Sequence, residues 1–581
     1  MFFLKNTKTE TNGSNGDFII IGLDFGTTYS GIAWTYSRAP EDIEIVTSWD
    51  AELNHRSDSG KVPTQLLYSS DGDTSWGYSI PAERDALKWF KLLILDEEDI
   101  STYVEDSSQL RHARKLLETM KKDTVEVVGC FLRRIWNHAI DSIHRSAGLE
   151  LLQKSRFHVV IALPAIWPPY AQQRMKQVTR ASGILDPRPC GDTTLHFISE
   201  PEAAALATMK DLSKRSTLKE GDTMVICDAG GGTVDLISYV IKSIDPFVVE
   251  ECVGGGGNLC GGVFLDEMFL NLIKKKVTPG SWAGVSIADQ KKLLNDSWEY
   301  DIKRQFLNQN RTWPVELPGS FSGSTFNQNR RMLLELSSND ILSIYDPIFS
   351  RVETLVRRQI DAVHMKYGEP ANYIILVGRL GRNSFLFNRL NTNFNMTVLQ
   401  SVGNKPWTAV CRGAVVRGIT SHSFSASLGV EINARIARRS YGILANVPFR
   451  SDEHLESEKF WAEDKQMWQV AGDNMLTKDP VRHKFMRLCS GHIDCVQQAI
   501  FACSEFPPPN IWKPTVQQLC VIQWTRDINI DSLPTYANSL GKVFHKLNYE
   551  IEMTCEDGTV EFTVYFEGKR VGAHNVDVQF H

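Results

Sequence analysis

Ile20-Ile21-Gly22-Leu23-Asp24-Phe25-Gly26-Thr27-Thr28-Tyr29 and Met224-Val225-Ile226-Cys227-Asp228-Ala229-Gly230-Gly231-Gly232-Thr233 share one pattern. Each is a run of bulky residues suited to a buried strand, then Asp, one residue, Gly, and small or hydroxyl residues. Each continues into a second apolar stretch, residues 31–34 and 234–239. The two aspartates stand 204 positions apart (228 minus 24). Related units so spaced predict a duplicated α/β domain with both aspartates facing a shared cleft. A tight turn after a buried strand presents successive backbone N–H groups, a concavity that binds phosphate oxygens. Gly26 lets a ligand approach closely, and Thr27 and Thr28 add hydroxyl donors. Asp24, at the strand end, suits a hydrated Mg²⁺, which keeps several waters and prefers one or two carboxylates. Alone, the first motif also fits an ordinary strand-turn. The triple glycine 204 positions on, set between a buried strand and another β-rich run, is what separates the two readings.

Working outward, residues 123–148 predict a long helix. Val128, Phe131, Leu132, Ile135, Ala139 and Ile143 recur mostly at spacings of three and four, and Gly148 is placed to stop it. A strand is expected at 158–163 and a helix at about 170–182. Residues 1–17 are expected to form a flexible tail. Beyond about 425 the texture changes: Tyr549, Ile551, Met553 and Cys555 alternate with polar residues, Asp557-Gly558 signals a hairpin turn, and Val560, Phe562, Val564 and Phe566 alternate again. The expected organisation is a tail at 1–17, an α/β domain at 18–425 and a β-rich C-terminal domain at 426–581.

Composition narrows the function classes. The 581 residues allow about three or four compact lobes. At 42% hydrophobic and 23% charged, the chain has a large core to bury, which excludes global disorder. A net charge of −6 gives no bulk electrostatic case for nucleic acid or an anionic membrane. It is compatible with a phosphate ligand held by backbone N–H groups and a bound cation. No apolar run approaches the length of a membrane span, and residues 1–8 lack a signal-peptide core. The 11 cysteines, without a C-x-x-C pair, read as free thiols in a reducing compartment. Cys489, His492, Cys495 and Cys503 do not follow common zinc spacing, and the cysteines among them read as buried free thiols amid apolar neighbours.

The two motifs, residues 21–30 and 227–235, resemble the phosphate loops of the 70-kDa heat-shock protein family, which shares its nucleotide fold with actin and the sugar kinases. Further matches follow in order. Residues 159–164 with Gln172-Gln173-Arg174 resemble the V-x-V-P-A segment and the helix after it. Ser199-Glu200-Pro201-Glu202-Ala203-Ala204-Ala205 resembles N-E-P-T-A-A-A. Cys260-Gly261-Gly262 with Asp266 resembles L-G-G-x-x-x-D, residues 374–378 resemble the adenosine motif, and Arg412-Gly413-Ala414-Val415 resembles the closing segment. Trp76-Gly77, Trp89-Phe90-Lys91-Leu92 and Arg439-Ser440-Tyr441-Gly442-Ile443 look more like the divergent type-12 branch, which lacks the helical lid.

The resemblance implies an actin-like ATPase domain of two lobes, followed by a β-rich domain, that uses ATP/ADP and Mg²⁺. Asp24, Asp228 and Asp235 would hold Mg²⁺, mostly through water. Thr27, Thr28, Gly230, Gly231, Gly232 and Thr233, with Gly26 and Tyr29 beside them, would cradle the β- and γ-phosphates. Lys91 would stabilise the transition state next to the attacking water, with Lys88 a rival three residues away, and Glu200 would orient water or metal. Asp228 and Thr233 complete the expected catalytic set. Glu299, Lys303 and Arg304 resemble the family's E-x-x-K-R helix with one extra residue, and with Gly378 and Arg382 would hold adenosine.

Three departures stand out. Arg379 replaces a glycine of the adenosine motif, Lys405-Pro406-Trp407-Thr408 stands in place of Pro-Asp-Glu, and residues 421–429 replace the leucine-rich linker. The expected function is slow ATP hydrolysis coupled to a C-terminal module that binds an unknown protein client, in the cytoplasm and also the nucleus. The alternatives left open are a nucleotide-sensing scaffold without turnover, a small-molecule kinase of the same superfamily, and an actin-like filament protein.

Overall fold

The computed structural model describes most of the chain; residues 1–2, 6–16, 52–57, 70–72, 82–83, 101–106, 213–217, 278–281, 283–284, 318–331, 402, 422–429, 437–439, 443–445, 449–458, 463–466, 472–481, 492, 504–512, 538–540, 557–558, 572–575 and 581 lie outside the described residues. The substitute linker at 421–429, beyond Ser421, and His492 of the cysteine cluster fall there. The chain forms two compact units. One comprises Lys8–Trp167 and Arg174–Asn433; the other comprises Met1–Thr7, Pro168–Gln173 and Ala434–His581.

The first unit contains two sheets of the same topology. In one, Phe18–Asp24 lies antiparallel to Tyr29–Tyr36, which pairs with Glu44–Ile45. On its other side Phe18–Asp24 runs parallel to Arg156–Leu163, which runs parallel to Thr194–Ser199. In the other sheet, Thr223–Ala229 lies antiparallel to Val234–Ile244, which pairs with Phe247–Asn258. Its parallel neighbours are Tyr373–Val377 and then Thr397–Gln400. The duplication extends to register: Asp24 faces Gly31, and Asp228 faces Asp235. Ile19, Ile20, Ile21 and Leu23 are fully buried, as are Met224, Val225, Ile226 and Cys227. Parallel neighbours covered by helices bury both faces of a strand, which is why both strands read as continuous apolar runs rather than alternating ones.

Two helices join the halves. Glu200–Leu212 follows directly on Thr194–Ser199, and Ala409–Thr420 packs against it. Their contact is closer than side chains permit, since a Cβ at Gly413 would collide with the carbonyl of Ala203. At Gly22 an added Cβ would lie 2.7 Å from the Val415 amide, so Ala409–Thr420 also lies flat on the Phe18–Asp24 strand. Ile20, Val160, Ala203, Ala204, Ile226, Ala414 and Val415 form one core across both sheets and both helices. The expected long helix is Thr124–Ala147, with Val128, Phe131, Leu132, Ile135, Ala139 and Ile143 buried and Gly148 at φ +85° ending it.

The second unit is β-rich. Arg482–Cys489, Val543–Glu556 and Thr559–Phe566 form an antiparallel sheet, and Ile493–Cys503, Val516–Ile528 and Val576–Phe580 form another. Glu556 faces Thr559, so the hairpin signal at 557–558 sits between paired strands, although those two residues are outside the described set. Leu547, Tyr549, Ile551, Val564 and Phe566 from one sheet share a core with Val496, Ile500, Ile522 and Trp524 from the other. The alternation read in the sequence is therefore the inward face of a sheet in a two-sheet arrangement.

One expectation is corrected within the tail. Phe3–Lys5 forms a short strand antiparallel to the end of Val430–Ile436, with Phe3 opposite Ile436. Phe3-Leu4 is an apolar pair that a polar tail would have no use for, and a strand edge gives its backbone groups partners. Among the described residues no helix is long and apolar enough to cross a membrane. Cys227, Cys252, Cys260 and Cys411 are buried free thiols.

Candidate functional site

The shared topology brings the ends of the two central strands together. Asp24, Gly26, Thr27, Thr28 and Tyr29 from the first half line one cleft with Asp228, Gly230, Gly231, Gly232 and Thr233 from the second. Lys61, Lys91, Glu200, Gly378, Arg379, Trp407 and Val410 complete its walls, and the cleft is open to solvent. The two loops face each other directly. A Cβ at Gly231 would collide with Thr28 Oγ1, and one at Gly232 would lie 2.8 Å from Thr27 Oγ1. The glycines are required here because the opposite hydroxyls occupy the space a side chain would take.

The second loop is oriented by the helix Gly262–Lys276. The carbonyls of Gly230, Gly231 and Gly232 accept hydrogen bonds from the amides of Gly262, Val263 and Gly261, at 3.1, 2.9 and 3.0 Å. In a trans peptide the N–H points opposite to the C=O of the same unit. The amides of Gly231, Gly232 and Thr233 therefore turn away from that helix, forming an anion-binding concavity where these residues line the cleft. The first loop is braced from outside: Thr64 Oγ1 donates to the carbonyl of Gly26 (2.8 Å), and the Thr64 amide donates to the carbonyl of Thr28 (2.8 Å).

Two buried ion pairs flank the loops. Lys91 Nζ donates to Glu200 Oε1 at 2.6 Å, and the lysine is 1% exposed. It lies in a short 3₁₀ turn, Phe90–Ile94, that follows Trp89, a residue held at φ +61°. Its ammonium sits 5.7 Å from the Phe25 ring and 5.3 Å from the Trp167 ring, two faces that favour a cation. The rival Lys88 does not line the cleft. Burial, reinforced by the charge of Lys291, pushes its ammonium down to about 8, against Asp85 and Asp266.

The second pair was not legible in the sequence: buried Lys61 donates to Asp24 Oδ2. Burial opposes its charge, yet Asp24 and Asp228 together hold its ammonium above the usual lysine range. The available signal was an asymmetry between the two motifs. Gly31 stands where the second motif has Asp235, and a Cβ there would lie 2.8 Å from Lys61 Cγ. The missing side chain admits the lysine stem.

Asp228 and Asp235 have no lysine partner of their own, and Glu200 is only partly compensated by Lys91. Burial, then the negative charges of Glu200, Asp235 and Asp24, raises Asp228 well above the carboxylate range. Burial and Glu200 push Asp235 up to about 7, and burial raises Glu200 against the pull of Lys91. Asp235 Oδ1 is buried and has no hydrogen-bond partner. Four carboxylates (Asp24, Glu200, Asp228, Asp235) face two ammoniums (Lys61, Lys91), a formal surplus that one divalent cation would cancel. No three His, Cys, Asp or Glu groups converge closely enough among the described residues to ligate a metal directly. The donor set fits a hydrated cation on the Asp228–Asp235 side, with Asp24 already engaged.

Of the expected adenosine residues Gly378 lines the cleft, whereas Glu299, Lys303, Arg304 and Arg382 do not. Residues Leu293–Ile302 form a π-helix, whose wider turn takes up the extra residue of the E-x-x-K-R segment. Glu299 and Lys303 still meet, at 3.0 Å. Lys303 Nζ also donates to Asp266 Oδ1 (2.6 Å) and to the carbonyl of Gly262 (3.4 Å). Glu299 Oε1 accepts from Arg379 Nη2 at 2.6 Å. Although burial pushes it upward, Lys303 and Arg379 hold the Glu299 carboxyl down to about 2. Arg382 lies near enough to Arg304 and Arg379 that, after burial, their charges lower its own basicity. Gly378, at φ +82°, receives the carbonyl of Pro406 on its amide (3.0 Å), which seats Trp407 at the cleft.

Known proteins are similar to the chain over part of its length. Over 389 residues the chain is 24% identical to heat shock 70 kDa protein 12A of Homo sapiens, covering 55% of this chain and 54% of that protein. Over 346 residues it is 25% identical to heat shock 70 kDa protein 12B of Homo sapiens, covering 46% of this chain and 48% of that one. With the chaperone protein DnaK of Thermosipho melanesiensis it shares 22% over 419 residues, 68% of this chain and 58% of that protein. The chain spans about half the length of the curated relatives it matches. The type-12 members among them agree with the resemblance read from Trp76-Gly77 and from residues 89–92. The family model described as Hsp70 protein matches residues 134–428, half of the chain, and this chain belongs to the Hsp70 family.

Proposed function

We propose that the cleft binds Mg-ATP and hydrolyses it slowly, and that closure of the two halves around the nucleotide acts on a C-terminal β-rich module, residues 426–581, that takes a protein client. The observation supporting this most directly is the convergence of the Asp24 and Asp228 strand ends, with amides at Gly231, Gly232 and Thr233 turned from the supporting helix at the cleft, on a buried Lys91–Glu200 pair. The amides and the hydroxyls of Thr27 and Thr28 take the phosphates. Asp228 and Asp235 hold Mg²⁺ through water, and when bound the ion supplies the charge that balances the phosphates. Lys91, held by Glu200, is positioned to orient the attacking water and to stabilise charge as the terminal phosphate departs from ADP. The reading places the protein in the cytoplasm and nucleus, on the free thiols and the balanced charge.

A binder without turnover is favoured by one observation, the neutralisation of Asp24 by Lys61. Single-turnover hydrolysis by wild type, Asp228→Asn and Lys91→Ala separates the two. Turnover predicts that Lys91→Ala slows the chemical step roughly 10²–10³-fold, about 2.7–4 kcal/mol of lost transition-state stabilisation. A passive binder predicts no change. Absence of Mg-ATP and Mg-ADP binding to folded protein, by calorimetry and thermal shift, would falsify both.

A further inference from the structure

Tyr29, Arg379 and Trp407 form the cleft wall nearest the Glu299–Lys303 pair. The Arg379 guanidinium carbon lies 4.2 Å from the Tyr29 ring centroid and 5.9 Å from that of Trp407, and the two rings meet edge-on at 5.5 Å. Tyr29 belongs to the first half, Arg379 and its partner Glu299 to the second. The arginine thus crosses from one wall to the other at the end of the phosphate loops.

The Glu299–Lys303 pair behind it is already bonded. Glu299 has one oxygen on Arg379 and the other on Lys303. An ammonium has three N–H donors, and those of Lys303 face Asp266, Glu299 and the Gly262 carbonyl. A sugar hydroxyl arriving there finds no unused donor on Lys303 and shares Glu299 with two cations already bound to it, which leaves little net gain. The phosphate loops carry no such obstruction: their inward amides line the open cleft.

We propose that Arg379 partitions the site, so that the chain recognises a polyphosphate chain and draws little affinity from the nucleoside attached to it. The proposal rests on the phosphate-cleft reading above and names Arg379 as its specificity-determining residue. Arg379 has helical backbone angles (φ −69°, ψ −47°), so alanine fits there without strain.

Calorimetry of the full chain at matched free Mg²⁺, with ATP and with inorganic tripolyphosphate, tests it. Wild type should bind the two within about threefold of each other, less than 1 kcal/mol apart. Arg379→Ala should tighten ATP by about tenfold or more, with tripolyphosphate within about threefold of wild type. Glu299→Gln, which weakens the arginine's anchor while keeping the side-chain shape, should shift the ratio in the same direction, and serves if the alanine variant does not fold by circular dichroism. Wild type binding ATP at least about tenfold more tightly than tripolyphosphate, or variants that leave the ratio unchanged, overturns the partition while sparing the phosphate cleft. Binding of neither ligand overturns both.

Discussion

At the scale of single residues, the site is decided by charges that burial makes costly. Lys61 and Asp24 are both buried, and removing one partner of such a pair leaves an uncompensated charge. Lys61→Met should therefore lose about 3–5 kcal/mol of stability, while Lys61→Met with Asp24→Asn should recover much of it. Urea denaturation of the four-member cycle measures the coupling; additive losses would show that the pair does not interact. Lys88 is the opposite case, a half-buried ammonium with insufficient compensation. Its folded-state value, about 8, lies below the unfolded value of 10.5. Between those values the unfolded chain binds more protons, so this group's contribution to stability rises with pH across about 8 to 10.5. Lys88→Met should raise the melting temperature at pH 7, with the difference from wild type shrinking toward pH 10. A constant difference across that range would contradict the assignment. Neither role was legible from residue identity: Lys61 sits in no motif, and the choice between Lys88 and Lys91 needed the cleft itself.

At the scale of elements, close approach sets the geometry. The helices Glu200–Leu212 and Ala409–Thr420 touch backbone to backbone at Gly413, which places Glu200 at the cleft and packs the halves on one core. Gly413→Ala should destabilise by about 1–3 kcal/mol or more, as overpacking does. Gly491→Ala, where nothing lies within 4 Å, is the control and should change little in the same denaturation assay. The long helix, both central strands and the Val543–Glu556 and Thr559–Phe566 hairpin were legible, because burial on a fixed face imposes a period on the residues themselves. The π-helix Leu293–Ile302 was not, since the extra residue seen against the E-x-x-K-R pattern does not say whether the helix widens or breaks to hold it. Phe3–Lys5 escaped for a related reason: three residues are too few to show alternation.

At the scale of the whole molecule, the two units have separate cores. A ligand that binds only the native form of one unit stabilises that unit by about 2.7 kcal/mol at a hundredfold excess over Kd. Scanning calorimetry with Mg-ADP should therefore move the transition of the unit containing the cleft and leave that of the β-rich unit in place. Movement of the β-rich transition alone would place the ligand elsewhere.

The duplicated α/β plan, the two glycine-rich strand-end loops and the β-rich end were readable from consecutive residues, because strand burial and glycine-dependent turns are local demands. Folding alone settled which lysine faces Glu200, that Lys61 takes Asp24, and that Arg379 stands between Tyr29 and the Glu299–Lys303 pair. Those are matters of charge brought together from distant positions in low dielectric, and the energy of such a pairing depends on distance and burial that no stretch of sequence contains.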